Sequence, residues 1–286
     1  MKIVLTGSSG YLGSNLMLSL SKSHDVMPVS LVSDDIDNLD EKLISFGPDV
    51  VIHCGWGLGN SYKDVSDINQ IENISTGCRL IKAISKLKNV TFVGFGSFSE
   101  YGTIHDPAKE TDIESPVNFY GVSKNSFRVV SKNFCQKMNH KWLWIRPCFV
   151  YGKNDVSTRL IPRVFESCLR KIKITLNSCS SVADYLYIDD FCSAVEHLLI
   201  SETTGVYNVC SGKTHTVRDV IKEIQNITNS HDTIKFDKHL DRENSYSFIS
   251  GDNEKLKKTG WIASHDMSSG LSETLNHYSK DCEYIL

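Results

Sequence analysis

The chain has 286 residues, 40% of them hydrophobic and 23% charged, with a formal net charge of −3. This composition suits a globular enzyme built as one large α/β domain, or as a nucleotide domain with a smaller appendage. It excludes a strongly basic nucleic-acid surface, and no apolar stretch approaches a bilayer span, so neither nucleic acid nor membrane is an expected partner.

Ile3, Val4 and Leu5 form a short apolar run suited to a strand buried on both faces. Thr6-Gly7-Ser8-Ser9-Gly10-Tyr11-Leu12-Gly13 follows, and then an amphipathic run from Asn15. Strand, glycine turn and helix together are the context of a dinucleotide-binding turn. Gly7 permits the sharp bend, Gly10 lets backbone approach a pyrophosphate, and Gly13 lets the helix pack closely on the strand. The free N–H groups and the positive end of that helix would face the phosphates. A start on this strand carries the further expectation of no targeting leader.

Residues 25–31 read as a second strand, leading through acidic 33–37 to a helix over 39–46. Residues 48–53 form another buried strand, ending in Cys54-Gly55-Trp56-Gly57. Ile74, Cys78, Ile81, Ile84 and Leu87 at helical spacing predict a helix over 69–87. A strand over 90–95 precedes Gly96-Ser97, and a loop with Pro107 and Pro116 leads to a helix over 120–138 and a strand over 142–146. This alternation implies a parallel sheet covered on both faces. Past Tyr151-Gly152 come a helix (159–169), a short strand (172–176), a strand (184–188) and a helix with Ala194, Val195, Leu198 and Leu199. A strand (206–209), a helix (217–227) and a less regular stretch to the end complete the chain. The expected layout is a nucleotide-binding domain over 1–153, with returns near 183–200 and 205–210, and a mainly substrate-binding lobe over 154–286. A ligand would lie between them, at the strand ends.

The nine cysteines contain no C-x-x-C pair and the ten histidines no pairing at metal-ligand spacing. Reduced thiols, no metal site and a cytoplasmic location are expected. Cys54, Cys148 and Cys210, at strand ends, read as small packing residues. His53 reads as shaping the loop after its strand. The sequons at Asn73 and Asn226 mean nothing without secretion.

The strongest chemical constellation is Ser97 with Tyr120-Gly121-Val122-Ser123-Lys124. On a helix Tyr120 and Lys124 are four apart and share a face. An ammonium beside a phenol favours the phenolate, so the tyrosine can exchange a proton with a carbonyl or alcohol oxygen. Ser97 can hydrogen-bond that same oxygen. The Y-x-x-x-K spacing alone is also that of an ordinary surface pair; the serine and the strand order before it carry the functional reading.

With those residues in view, the chain resembles an extended short-chain dehydrogenase/reductase, the nucleotide-sugar epimerase, dehydratase and reductase family. Residues 6–13 resemble its T-G-x-x-G-x-x-G, and Asp35-Ile36 the acidic-aliphatic pair at adenine. His53-Cys54-Gly55 resembles the segment lining the cofactor, and Asn73 falls at its helix start. Ser97-Phe98-Ser99-Glu100-Tyr101-Gly102 resembles S-S-x-x-V-Y-G, Pro116 to Tyr120 the approach to the tyrosine, and Arg146-Pro147 through Val150-Tyr151-Gly152 R-P-x-N-V-Y-G. Asp184 to Asp190, Tyr207-Asn208-Val209 and Lys258-Thr259-Gly260-Trp261 extend the match. The resemblance implies a Rossmann doubly wound parallel sheet with a smaller C-terminal α/β substrate lobe. It also implies a homodimer through helices near 73–87 and 120–138.

The resemblance assigns Ser97, Tyr120 and Lys124 to catalysis. It assigns Gly7, Ser9, Gly10, Tyr11, Leu12, Gly13, Ser30, Asp35, Ile36, Cys54, Gly55, Trp56, Asn73, Tyr120, Lys124, Pro147 and Val150 to the cofactor. Ser97, Phe98, Ser99, Phe149, Arg159 and Arg242 would meet a nucleotide-diphosphate sugar. Arg163 and Arg170 are further candidates for its diphosphate, after Arg242. Phe149 stands where the family has asparagine, and Ala183 replaces the arginine before Asp184. Phe98 and Ser99 replace the acid pair of the 4,6-dehydratases, which argues against water elimination. Ser30 stands where NAD-dependent epimerases carry an aspartate that would repel a 2′-phosphate, so NADP(H) is the expected cofactor. In the alternative, Asp34 or Asp35 takes the ribose role and the cofactor is NAD(H). The expected reaction is reduction of a nucleotide-linked 4-keto-6-deoxy sugar, as in reductases forming dTDP-6-deoxytalose. The alternatives are an NAD-dependent 4-epimerase and a non-catalytic nucleotide sensor on the same fold.

Overall fold

The computed structural model describes residues 1–32, 38–57, 68, 70–241 and 247–282. The first half runs β1 (Lys2–Thr6), α1 (Tyr11–Leu20), β2 (Asp25–Val29), α2 (Leu39–Phe46), β3 (Val50–His53), α3 (Gln70–Ile84), β4 (Thr91–Phe95), α4 (Phe119–Met138) and β5 (Lys141–Pro147). A single 3-10 turn, Phe98–Glu100, lies between β4 and α4. The second half runs β6 (Phe149–Tyr151), α5 (Leu160–Leu169), β7 (Ile174–Leu176), β8 (Val182–Tyr187), α6 (Ile188–Ile200), β9 (Gly205–Val209), β10 (Thr214–Thr216), α7 (Val217–Ile227), β11 (Ile234–Phe236), β12 (Phe248–Ile249), α8 (Glu254–Lys257) and α9 (Met267–Cys282).

The main sheet has the order β2-β1-β3-β4-β5-β9, with every pairing parallel. Its central strands are mostly apolar and buried, as in β3 (VVIH) and β4 (TFVGF), because side chains on both faces are covered, while the edge strand β2 is partly exposed. Ile3 and Leu5 point into a core shared with Leu16 and Leu20 of α1 and with Phe191, Ala194 and Val195 of α6. Val4, between them, points to the opposite core, with Leu43 of α2, Leu80 and Ile84 of α3 and Phe127 of α4. Each fully buried side chain of this size contributes about 1.5–3 kcal/mol relative to exposure.

The chain passes from β1 outward to β2, then returns to β3 on the other side of β1. That reversal opens a crevice at the carboxyl ends of the strands, where α/β sheets bind ligands. A smaller sheet, β10-β8-β12 with β6 beside β8, and the pair β11-β7 lie outside this path.

Several boundaries differ from the sequence-based expectations. β2 ends at Val29, α3 ends at Ile84, and the strand at 182–187 pairs within the smaller sheet. The C-terminal stretch, expected to be irregular, holds a 16-residue helix, α9. Its composition is poor for a helix, and it stands because Leu271 is fully buried in the core, with Leu275 and Tyr278 packed against it one and two turns on. Among the described residues, no helix is long and apolar enough to cross a membrane.

Candidate active site

The glycine turn closes on itself as its spacing requires. Gly7 has φ +72°, and a Cβ there would stand 2.5 Å from the Gly55 backbone nitrogen. A Cβ on Gly13 would stand 2.1 Å from the Gly7 carbonyl oxygen, so helix and turn could not pack with any larger residue. Gly10 differs: its nearest neighbour would be the Gly7 oxygen at 3.4 Å, which leaves its outer side open. It is the N-cap of α1 and offers no side chain to the first N–H groups of that helix. An open glycine and a helix N-terminus without a side-chain cap fit a pyrophosphate.

Beside the turn lies a groove of about 490 Å³ lined by Gly7, Ser9, Gly10, Ser30, Trp56 and Asn73, among others. Cys54 and Gly55 line it too, so the turn glycines Gly7 and Gly10, Ser9, Ser30 and the Cys54–Trp56 segment with Asn73 share one cleft. Ser30 follows the last residue of β2, at the groove edge, and its Oγ accepts from the Val32 N–H at 3.4 Å. Asn73 works on the protein itself: its Oδ1 accepts from the Gly57 N–H (2.8 Å) and its Nδ2 donates to the Gly57 carbonyl (2.7 Å). It thereby pins the loop after β3 to α3. Trp56 is tied to the same helix by its indole N–H, which donates to Gln70 Oε1 at 2.8 Å.

Lys124 connects this groove to the proposed proton donor. It is 5% exposed. Its ammonium donates to the Phe95 carbonyl at 2.8 Å and sits 4.0 Å from the centre of the Trp56 ring and 5.8 Å from that of Tyr120. Burial lowers its pKa to about 7, with Glu100 acting in the opposite direction. His53, beneath it, shares a 2.8 Å hydrogen bond with Thr6 Oγ1. Burial and the nearby lysine lower the His53 pKa to about 3, which keeps the ring neutral. Burial pushes the thiols of Cys54, Cys148 and Cys210 up, as suits packing residues rather than nucleophiles.

Tyr120 is the second residue of α4, a helix capped by Asn118, whose side chain accepts from the Gly121 N–H at 2.8 Å. Ser97 caps the 3-10 turn. Its Oγ accepts from the Ser99 N–H at 3.1 Å, which leaves the hydroxyl proton for donation. The two caps are held together by Gly121, where a Cβ would come within 2.3 Å of the Ser99 carbonyl oxygen. Phe98 turns away from this cleft into a small buried cluster with Tyr101, Ala108 and Cys210.

The other expected residues are spread. Phe149, Val150 and Arg159 line a second cavity of about 240 Å³ with Tyr185 and Val217. There Arg159 donates to Asp155 Oδ1 at 2.8 Å. Tyr11 and Leu12 pack against the core, and the Arg159 guanidinium lies 5.5 Å from the Tyr11 ring centre. Pro147 ends β5 in register with Val209. Asp35, Ile36 and Arg242 lie outside the described residues.

Glu100 had no role in the sequence analysis. It is fully buried and forms an ion pair with the fully buried Arg146, whose Nε and Nη2 reach its Oε2 at 2.9 and 2.8 Å. Its residue type does not mark it, because a glutamate is read as a surface residue by default. The one available signal was its place beside Ser97 within the motif.

The family whose model matches, over residues 3–210, is the NAD dependent epimerase/dehydratase family. The dTDP-6-deoxy-L-talose 4-dehydrogenase (NAD(+)) of Aggregatibacter actinomycetemcomitans is 25% identical over 248 residues, covering 78% of this chain and 89% of that protein. The GDP-L-colitose synthase of Yersinia pseudotuberculosis is 24% identical over 316 residues, covering 100% of this chain and 98% of the other. The solved structure of RMD from Pseudomonas aeruginosa complexed with NADPH has the same fold, with a TM-score of 0.86 at 23% identity over 98% of this chain and 99% of that one.

Proposed function

The chain belongs to the NAD dependent epimerase/dehydratase family, and from that premise we propose that it reduces a nucleotide-linked 4-keto-6-deoxy sugar at C4, with Tyr120 as the proton donor. At the coarser level it is a nucleotide-sugar-modifying enzyme of the NAD(P)-dependent kind. The observation that carries the proposal is the position of Lys124, buried between the Trp56 wall of the glycine-turn groove and the ring of Tyr120.

A reduced nicotinamide bound in the groove supplies the hydride. The turn at Gly7–Gly13 and the N-terminus of α1 would hold the pyrophosphate, and Lys124 the ribose beside Trp56. Ser97 donates a hydrogen bond to the C4 oxygen and Tyr120 gives it a proton as negative charge develops there. The Lys124 ammonium favours the phenolate left behind. Burial of Phe98, where a dehydratase carries an acid, supports reduction over elimination. Phe149, Arg159 and Arg242 are the candidates for holding the nucleotide end of the sugar.

Ser30 at the groove edge supports a preference for NADPH. The relatives point both ways, since one is named for NAD(+) and another was solved with NADPH. Asp34 and Asp35, the other candidates for the ribose, lie outside the described residues. We also propose a homodimer through α3 and α4. The reaction is tested by incubating the protein with a panel of nucleotide-linked 4-keto-6-deoxy sugars and NADPH or NADH, following loss of reduced-cofactor absorbance and identifying the product. Oxidant-free interconversion of C4 epimers on retained NAD, without net cofactor consumption, would replace this reading with an epimerase.

A further inference from the structure

The carboxylate of Glu100 sits at the junction of the segments that carry the reacting groups. Its Oε1 accepts from the Ser97 N–H at 2.8 Å and from the Trp144 indole N–H at 3.1 Å. Its Oε2 takes both Arg146 nitrogens. Arg146 Nη2 continues to Glu114 Oε1 at 2.7 Å, and Arg128 on α4 reaches that same oxygen at 3.0 Å. Four charges, two of each sign, therefore link the turn after β4, strand β5, the loop before α4 and α4 itself.

The backbone has been shaped around this carboxylate. A Cβ on Gly96 would stand 2.1 Å from Glu100 Oε1, so only glycine admits it at the end of β4. Burying such pairs gives little net stability, since desolvation offsets most of the attraction, and apolar replacements of similar volume are often as stable. What the arrangement does supply is geometry: the Ser97 amide is held by a fully buried acceptor, which fixes the backbone that carries the Ser97 hydroxyl.

Glu100 and Lys124 meet the end of β4 at neighbouring residues: Lys124 Nζ donates to the Phe95 carbonyl at 2.8 Å, and Glu100 Oε1 lies against Gly96 and the Ser97 N–H. The carboxylate favours the charged ammonium against the effect of burial. The other titratable groups around that ammonium are His53 and Cys54 on the β3 side and Tyr120 on α4. His53 is held neutral by burial and the Cys54 thiol is pushed up by burial, so neither supplies a negative charge. Glu100 does.

We propose that Glu100 is a positioning residue for the reaction: it fixes Ser97 through the Ser97 amide and serves as the buried anion that keeps Lys124 charged in the cofactor groove. The inference rests on the proposed roles of Ser97 and Lys124.

Glu100→Gln keeps the size of the side chain and an oxygen for the Ser97 amide, and removes the charge. In the full-length variant, turnover should fall about 10- to 100-fold, because a small misplacement of a reacting group has effects of that order. The pH dependence of NADPH binding, measured by fluorescence titration without sugar, should show its alkaline fall about one pH unit earlier than in the parent. Glu114→Gln touches Arg146 and Arg128 but neither Ser97 nor Lys124, and should leave that fall in place. An unmoved fall in a folded Glu100→Gln protein, or an equal shift in Glu114→Gln, overturns the proposal. If Glu100→Gln does not fold, Glu100→Asp is measured alone and with Ser97→Ala. Positioning requires the double variant to lose little more turnover than Ser97→Ala alone, and independent multiplicative losses overturn it. The binding arm needs no sugar, so a parent that reduces none of the panel refutes the reaction while Glu100 is still judged on its own.

Discussion

Tyr120→Phe removes one oxygen from the half-buried start of α4 and leaves the ring in place. Turnover should fall about 10²–10⁴-fold, the usual contribution of a positioned general acid, with cofactor affinity nearly unchanged because the glycine turn is untouched. Near-parental turnover with the true substrate would remove Tyr120 from the mechanism. Ser30→Asp should reverse a preference for NADPH over NADH, through repulsion of the 2′-phosphate and new hydrogen bonds to the ribose diol. Equal ratios of kcat/KM for the two cofactors in parent and variant would show that selection lies elsewhere. Residues such as Tyr120, Lys124 and the three turn glycines were legible in sequence because their spacing encodes a shared helix face or a backbone constraint. Glu100 was not legible. Its meaning depends on Arg146, Glu114 and Arg128, which no local pattern joins to it.

Among the elements, the contact between the 3-10 turn and α4 is the one that brings the proposed Ser97 and Tyr120 pair together. Gly121→Ala would force a methyl group against the Ser99 carbonyl oxygen, a backbone atom that cannot swing aside. Overpacking of this kind costs about 1–3 kcal/mol, and here relief would come by moving Tyr120 away from Ser97. Thermal unfolding should shift down and kcat should fall while binding of the cofactor alone is kept; unchanged kcat would mean that the two caps need not touch. The strands of the main sheet and helices such as α2 and α7 could be read from sequence because their apolar periodicity is local, and α2 and α7 have the expected bounds. Short strands such as β11 and β12, and the helix α9, could not be. They exist through partners distant in the chain: β11 pairs with β7, β12 with β8, and in α9 a Cβ on Gly270 would stand 2.2 Å from the Tyr151 hydroxyl.

At the scale of the whole molecule, α3 and α4 pack side by side while leaving apolar groups on their outer surface. Val122, Val129 and Val130 recur at helical spacing along α4 and are all exposed, as is Ile71 at the start of α3. A two-fold contact between copies would cover this stripe. Light scattering should therefore report a dimer at micromolar concentration, and Val129→Asp should shift it to monomer; a monomeric parent would refute the contact. The main sheet has its own dependence on distant chain. Strand β5 is an interior strand only because β9 lies against it, and β6, α5, β7, β8 and α6 intervene in sequence. During synthesis, β5 leaves the ribosome with one edge of backbone N–H and C=O groups open, and that edge stays open until Gly205–Val209 has been made. For that interval the nascent chain carries a template for strand addition on the side of β5 away from β4, and the rate of translation through the second lobe sets how long neighbouring chains can find it.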